Sequence, residues 1–450
     1  MKYSQFDKYS PYLKGAALFI AFLTYWRFRN IDLSAVYVYV AQGDVVRTVF
    51  FQTIGATRSL VWDFFGLMDR FVTPHSIVLL KFAGLLLIVL DLYIAASLLD
   101  FMLAQKFWGF LGMFLAALSP FAVVAATSGG PAAAAVALTL LFLMALYRNQ
   151  YVYAALLAGV SFAANLPGLI MFLIAVLDLL QNFQDKKKMV GRLIATAAAF
   201  FGVIVIVYLY SLYSGNVTVF TVPLGERDLV WALESVISLF VANALNLAGI
   251  VYLIMKGRYD VYRTHFHTLM MWIASCALCI AQPSTTNLLV ALIVSTILAM
   301  FFLQGFSSLW KFKLVSADTF VFLFVILFLF GDLFANNGFL RNVVLVDSYG
   351  KNEVVGDVIN AVSKQADDAR VVSNFVPAEL STKLGRRVYM AGEDALPIGS
   401  FRDSSAPVIY VAKRESGNDV IPHGCALLFN TTLTENNKTY IVQVVRSGGN

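Results

Sequence analysis

The chain has 450 residues, of which 59% are hydrophobic, 14% are aromatic and only 13% are charged. A soluble protein of this composition would expose a very large apolar surface, so the composition excludes a soluble globule and indicates a polytopic membrane protein. The formal net charge of +6 resides outside residues 340–450, where twelve basic side chains balance twelve acidic ones. We therefore attribute the positive charge to membrane orientation rather than to nucleic-acid binding.

Apolar segments of helical length recur from the N-terminus to about residue 335. A hydrocarbon core of roughly 30 Å needs about 20 helical residues for each crossing. The sequence predicts eleven spans, near residues 13–26, 77–99, 107–125, 131–147, 151–164, 166–181, 190–212, 235–255, 266–283, 287–304 and 318–335. Lys2, Lys8 and Lys14 precede the first span, and the absence of a short apolar core with a small-residue cleavage site indicates that this span is not cleaved.

The loops between the spans divide into a basic set and a neutral or acidic set. The basic set falls on the side of the N-terminus and comprises Lys106, Arg148, Lys186, Lys187, Lys188, Arg192, Lys256, Arg258, Arg263, Lys311 and Lys313. The exceptions lie in the first outer loop, and they are Arg27, Arg29, Arg47, Arg58 and Arg70. Because cytoplasmic loops are enriched in Lys and Arg, we predict a cytoplasmic N-terminus and an extracytoplasmic C-terminal region. The short spans at 151–164 and 166–181 flank Asn165-Leu-Pro-Gly168 and could instead form a re-entrant hairpin, which would leave this orientation unchanged.

Hydrophobicity falls after Asn336, and residues 340–450 are predicted to form a small extracytoplasmic α/β domain that follows a transmembrane domain of residues 1–339. Helices are predicted at Glu353–Gln365 and Pro377–Leu384. Strands are predicted at Asn342–Asp347, Arg370–Phe375, Arg387–Met390, Val408–Ala412, Ala426–Phe429 and Tyr440–Val445.

Common catalytic and transport signatures are absent from the sequence. There is no Walker A loop, dinucleotide-binding glycine run, His-Glu-x-x-His motif or Gly-x-Ser-x-Gly motif. Apart from Lys81, Asp91, Asp178 and Asp332, the spans carry almost no ionisable residues, which argues against an ion-driven transporter.

A metal site is not indicated by the cysteines. Cys276 and Cys279 lie one turn apart within a single span and would need two further ligands, whereas His265 and His267 belong to the cytoplasmic end of that span. A divalent metal is therefore compatible with the sequence but is not indicated by it.

The long first outer loop, residues 27–76, is the segment in which we expect chemistry. It contains the run Asp32-Leu-Ser-Ala-Val-Tyr-Val-Tyr-Val-Ala-Gln-Gly-Asp44, whose two carboxylates flank a predicted helix at Leu33–Gln42. The helix could lie along the membrane surface and either floor a cavity for a lipid or act as an anchor. An aromatic belt would support both roles, with members Tyr37, Tyr39, Phe50, Phe51, Trp62, Phe64 and Phe65.

Three segments of the sequence resemble the polytopic C-type glycosyltransferases, which include protein mannosyltransferases and bacterial aminoarabinose transferases. The first segment is the loop after span one, with Asp32, Tyr37, Tyr39 and Gly43-Asp44. The second comprises Phe110–Phe121, Tyr147-Arg148 and Ala158–Gly168, which look like the third to sixth spans of that family. The third is the C-terminal region, where Ala369-Arg-Val-Val, Pro377-Ala-Glu-Leu380 and Gly385-Arg-Arg-Val-Tyr389 are similar to the small α/β cap of many members.

The resemblance implies transfer of a sugar from a polyprenyl-phosphate donor to an acceptor on the extracytoplasmic face, in a bacterial inner membrane. No cofactor besides this lipid-linked sugar donor is indicated. A carboxylate near the acceptor would serve as general base, and Asp32 and Asp44 are the candidates. Candidate substrate-binding residues are Tyr37, Arg58 and Arg227, since an arginine can hold two phosphate oxygens. The alternative function is a non-catalytic scaffold or accessory subunit of a membrane complex, and nucleic acid is not an expected partner.

Each candidate residue also has a structural interpretation. Asp32 could cap the helix that begins at Leu33, and Asp44 could end it in a Gly-Asp turn. Arg227 could reach lipid headgroups beside Glu226 and Asp228. Arg58 could balance the acidic residues of the first loop. The sequence leaves these interpretations open, along with the identity of the sugar and of the acceptor.

Overall fold

The structure is a computed structural model that describes residues 3–27, 77–103, 105–119, 122, 131–163, 167–182, 186–213, 239–281, 285–309, 319–328, 347–365, 369–376, 380, 383–384, 388–390, 407–415, 425–435 and 438–447. These residues belong to two compact units: the first contains the described residues of 3–27 and 82–328, and the second contains residues 77–81 together with the described residues of 347–447. The first unit is helical and the second is α/β.

The helical unit follows the apolar segments of the sequence closely. Its helices are α1 (Tyr3–Arg27), α2 (Ile77–Leu103), α3 (Lys106–Leu118), α4 (Pro131–Tyr147), α5 (Tyr151–Ala163), α6 (Gly168–Asn182), α7 (Lys186–Tyr213), α8 (Phe240–Met255), α9 (Tyr259–Thr264), α10 (Phe266–Ala281), α11 (Thr285–Leu309) and α12 (Thr319–Phe328). Each predicted span overlaps one of these helices, and the short helix α9 has no counterpart among the predictions. In the described chain, three helices are long and apolar enough to cross a membrane, at Gly84–Leu103, Lys187–Leu209 and Thr286–Ser308.

The third helix ends earlier than predicted, at Leu118 rather than near residue 125. Ser119 leaves the helical region with φ −63° and ψ 131°. The cause is Pro120, because the ring of a proline disfavours helical backbone in the residue before it. Helix α3 therefore breaks at Ser119, and Ala122, the next described residue, is again helical.

Helix α11 is the centre of the helical unit. It packs against α3, α4, α8 and α10, and every residue from Asn287 to Met300 is buried. A helix that is apolar on all sides requires such surroundings or lipid. Helix α7 packs against α5 and leaves many apolar side chains exposed, including Ile194 and Ile206.

The described residues of the α/β unit include a long helix, a five-stranded sheet and helical residues at Leu380, Lys383 and Leu384, within the predicted helix Pro377–Leu384. The elements are α13 (Asp347–Ser363), β1 (Arg370–Ser373), β2 (Val388–Met390), β3 (Val408–Glu415), β4 (Cys425–Glu435) and β5 (Lys438–Ser447). The strand order is β2-β1-β3-β5-β4; β1 is parallel to β2 and β3, whereas β5 is antiparallel to β3 and β4. The strand predicted at Asn342–Asp347 is wrong at Asp347, where α13 begins; an acidic residue in the first turn suits the helix dipole.

The core of the α/β unit lies between α13 and the sheet. Val355, Val358 and Val362 recur on one face of α13 and are fully buried, together with Ile409 and Val444 of the sheet. The helical spacing of three and four residues brings these valines onto one side, while alternate strand residues supply the opposing surface. This small unit is therefore closed by its own apolar contacts.

Candidate functional site

The residues that the sequence predicts for the site lie outside the described part of the chain. They are the candidate catalytic residues Asp32 and Asp44 and the candidate substrate-binding residues Tyr37, Arg58 and Arg227. Their roles stay predictions. Helices α1 and α2, which precede and follow the first loop, nevertheless show at which end of the helical unit the loop begins and ends.

The ends of α1, α2 and α3 are held together where the segment of residues 28–76 begins and ends. The hydroxyl of the fully buried Tyr25 donates a hydrogen bond of 2.7 Å to the carbonyl oxygen of Ala117. The ring of Trp26 meets that of Phe82 in α2 edge to face, with 6.3 Å between the ring centroids. The long loop therefore leaves from, and returns to, one end of the bundle, which is the end that the basic residues predict to be extracytoplasmic.

Asp91 is a buried carboxyl group on α2. It is 1% exposed, and neither of its oxygens has a hydrogen-bond partner among the described residues. Ionisable residues within membrane spans are rare and often functional. At 1.5 Å of rise per residue, however, Asp91 lies about 14 Å along α2 from Phe82. It is therefore deeper than the interface at which a lipid phosphate resides, and we do not assign it to the predicted catalytic site.

A buried polar network joins the opposite ends of four helices. The carboxyl group of Asp178 in α6 accepts a hydrogen bond of 3.1 Å from the Tyr151 hydroxyl in α5. Its other oxygen lies 3.3 Å from Nδ1 of His267 in α10. The Tyr147 hydroxyl at the end of α4 lies 2.8 Å from Nδ1 of His265, and its ring packs against that of His267 with 4.2 Å between centroids.

This network, which we call the Asp178–His267 network, resembles the carboxylate–imidazole pairs that orient a general base. Catalysis also requires that an acceptor reach the imidazole. His267 and Asp178 are only 3% and 1% exposed, and they lie at the end that is predicted to be cytoplasmic, away from the first outer loop. The arrangement is suited to fixing α4, α5, α6 and α10 relative to one another, because it replaces solvent as the partner of their polar groups.

Cys276 of α10 forms part of a second polar cluster. Nε1 of Trp272 donates a hydrogen bond of 2.8 Å to Oδ1 of Asn243 in α8, and the Ser295 hydroxyl of α11 donates to the same oxygen at 3.1 Å. The thiol of Cys276 lies 3.8 Å from that oxygen. Within the described ranges, no group of three His, Cys, Asp or Glu side chains could hold a metal ion.

The sequence singled out residues of the Asp178–His267 network, but it did not indicate that they meet in space. Asp178 is one of few carboxylates in the spans, and His265 and His267 stand at the start of theirs. The contact between Asp178 and His267 joins residues 89 positions apart. Periodicity and composition describe single helices, so they do not reveal which helix ends meet.

Comparison with known proteins identifies the fold. No protein-family model matches the sequence, and no curated protein matches it. Among solved structures, the chain is similar to ArnT from Cupriavidus metallidurans bound to undecaprenyl phosphate, with a TM-score of 0.57 and 11% sequence identity over 95% of this chain and 97% of that one. The protein therefore has the C-type glycosyltransferase fold, which confirms at the level of the fold the resemblance found in the sequence. The shared fold and the apolar helices make it an integral membrane protein.

Proposed function

We propose that the protein is a membrane glycosyltransferase that moves a sugar from a polyprenyl-phosphate donor to an acceptor on the extracytoplasmic face. The observation that carries this proposal is the similarity to ArnT over nearly the whole of both chains, in a structure that contains undecaprenyl phosphate. A shared fold alone does not define a reaction. The location of the first loop provides the second argument.

The first loop starts and ends where α1, α2 and α3 are joined by the Tyr25 hydrogen bond and the contact of Trp26 with Phe82. A donor with a polyprenyl tail has its phosphate at the membrane interface, so a catalytic segment must be presented at the end of the helices. Aromatic rings at this end suit the interface, because they combine an apolar body with affinity for the headgroup region.

The proposed reaction needs little activation of the donor, since polyprenyl phosphate is already a leaving group. Asp32 or Asp44 would accept the proton of an acceptor hydroxyl or amine as that group attacks the anomeric carbon of the sugar. The bond between this carbon and the phosphate oxygen breaks, and polyprenyl phosphate leaves with the electron pair. Arg58 and Arg227 would neutralise the charge on the departing phosphate, and Tyr37 would contact the sugar or the lipid.

The proposed topology has eleven crossings of a bacterial inner membrane, a cytoplasmic N-terminus and an α/β domain of residues 340–450 on the extracytoplasmic side. Basic residues next to α4, α8 and α9 support this orientation, because Arg148, Lys256 and Arg258 all stand at helix ends on the predicted cytoplasmic side. Polyprenyl phosphate is the proposed lipid partner, and the transmembrane domain of residues 1–339 would contain its site.

The decisive experiment uses the full chain, purified and reconstituted in lipid nanodiscs, with a panel of polyprenyl-phosphate sugars and candidate acceptors. Release of polyprenyl phosphate is measured by mass spectrometry. We expect release from at least one donor, and a rate lower by about 10²–10⁴-fold in Asp32→Asn or Asp44→Asn, because a general base contributes that much. Asp63→Asn and Asp69→Asn are the matched controls from the same loop and should retain activity.

Two results would argue against this function. If Asp32→Asn and Asp44→Asn together left the rate unchanged, neither carboxylate would be the base. If the folded protein bound undecaprenyl phosphate but released none from any donor, the non-catalytic scaffold would be the better description. Thermal unfolding of each variant separates a loss of chemistry from a loss of folding.

A further inference from the structure

We propose that a cavity between α8, α9 and α11 binds the headgroup of an anionic phospholipid, at the opposite end of the bundle from the first outer loop. The cavity has a volume of about 670 Å³, and its described lining combines cationic, amide and aromatic side chains, including Lys256, Arg258, Gln304, Tyr252, Phe301 and Phe306. It takes no part in the proposed transfer reaction. The lipid binding does not rest on that reaction, whereas its assignment to the cytoplasmic leaflet rests on the proposed orientation.

Two cations define the polar part of the cavity. Lys256 follows the last residue of α8, and its ammonium group lies 5.9 Å from the centre of the Tyr252 ring. Arg258 precedes α9, with Nε 3.7 Å from Oδ1 of Asp260. Both side chains of this ion pair are more than 60% exposed, so water weakens it. A phosphate in the cavity is therefore attracted by Lys256 and Arg258, and the repulsion from the single carboxylate of Asp260 is weakened by water.

Aromatic rings and aliphatic groups form the rest of the wall. Tyr252 and Phe306 are in edge-to-face contact, with 5.4 Å between their centroids. Phe302 also lines the cavity and packs against Gly249, where any side chain would collide with its ring. A free inorganic anion would gain nothing from these walls, whereas a headgroup with its glycerol and first acyl carbons would bury apolar surface there.

The outer surface of α8 is suited to the rest of the lipid. Val251, Ile254 and Met255 are among the large apolar side chains exposed on this helix, in the turn that leads to Lys256. A surface of this kind at a helix end faces acyl chains, and a lysine just beyond it reaches the headgroup region. Basic pockets between helices on the cytoplasmic side are recognised sites for anionic headgroups. The exposed apolar surface of α8 next to the cavity favours a lipid over a free anion.

Gly305 provides a way to close the cavity without changing its charge. It lines the cavity, and a Cβ atom built on it would have no heavy atom within 4 Å. A leucine at this position can therefore project into the open space. The charge-neutral variant Gly305→Leu and the double variant Lys256→Gln/Arg258→Gln test the two halves of the site separately. The control is Lys8→Gln/Lys106→Gln, which removes two exposed lysines from the same predicted side.

The experiment measures binding of phosphatidylglycerol to the delipidated full chain in detergent, by native mass spectrometry. Phosphatidylcholine with the same acyl chains tests the need for net charge, and inorganic phosphate distinguishes a lipid site from a phosphate site. We expect saturable binding of phosphatidylglycerol alone, weakened about 30-fold in the double variant, since each basic side chain near an anionic surface contributes roughly fivefold. Gly305→Leu should weaken it at least tenfold, and the lysine control should leave it unchanged.

Equal affinity of the wild type and both cavity variants for phosphatidylglycerol would overturn the proposal, and so would competition by millimolar inorganic phosphate, which would indicate a free-anion site. Unfolding temperatures in lipid-free detergent show that each variant is folded. Asp32→Asn and Asp44→Asn should bind phosphatidylglycerol as the wild type does. If the wild type bound phosphatidylglycerol as expected but transferred sugar from no donor, the proposed function alone would be at fault.

Discussion

Replacing Asp178 by alanine is expected to destabilise the helical unit by disconnecting four helix ends. The Asp178 carboxyl group is 1% exposed and contacts both the Tyr151 hydroxyl and Nδ1 of His267. Its removal leaves two buried polar groups without that partner, and each orphaned group destabilises a protein by about 1–3 kcal/mol. Two effects reduce the sum: Asn182 still donates to Tyr151, and hydrogen bonds between membrane helices average only about 0.6 kcal/mol.

We therefore expect the free energy of unfolding to fall by about 2 kcal/mol in Asp178→Ala, and by about half of that in Asp178→Asn, which keeps an acceptor oxygen. The assay is reversible unfolding of the purified protein in mixed micelles with increasing dodecyl sulfate. Leu177→Ala is the matched control, because Leu177 is the neighbouring residue, is 43% exposed and should change the free energy by less than about 1 kcal/mol. A value for Asp178→Ala no larger than that of the control would refute the reasoning.

Two further predictions concern a helix contact and a thiol. Gly168→Ala should lower the free energy of unfolding by about 1–3 kcal/mol, because the new Cβ would lie 2.2 Å from the Ala158 carbonyl oxygen of α5. Gly191→Ala is the control and should leave this free energy unchanged, because its Cβ would meet no heavy atom within 4 Å. Equal effects of the two substitutions in an unfolding titration would contradict the packing of Gly168 against α5. Burial raises the pKa of the Cys425 thiol, and only the thiolate reacts with a maleimide. Labelling by a membrane-impermeant maleimide should therefore be slow at pH 7 and should accelerate about tenfold per pH unit up to pH 9. A labelling rate that is independent of pH, or that is unchanged in Cys425→Ser, would contradict this prediction.

The positions of the membrane helices were largely predictable. Burial of about 20 residues in lipid is a property of the segment itself, so hydropathy locates it without knowledge of its neighbours. The differences are local: Pro120 ends α3 early, and the six residues of α9 are too few and too polar for a hydropathy pattern to indicate a helix.

The α/β unit was predicted as elements but not as an arrangement. Alternating apolar residues indicated the strand that is now β1, at Arg370–Ser373. Nothing in that pattern states that β1 lies between β2 and β3, with Val371 opposite Val388 on one side and Ile409 on the other. Strand order depends on partners distant in sequence, whereas the pattern reports only which residues face a core.

For the site, the sequence alone supplied the candidate residues, from Asp32 and Asp44 in the first loop to Arg227, together with the chemistry that would use them. It could not supply the Asp178–His267 network or the cavity beside Lys256 and Arg258. Each of these is made by side chains from several helices, and their sequence separations carry no period that a single-chain pattern could detect.

The contrast between α7 and α11 shows where the sequence stops and the tertiary structure begins. The two helices are equally apolar, and both have the length to cross a membrane. Yet α11 is almost wholly enclosed by other helices, whereas α7 is mostly exposed. Composition determined that both belong in an apolar medium. Lipid tails are as apolar as a protein interior, so hydropathy cannot distinguish the two surroundings, and only packing between helices decided which one became the core.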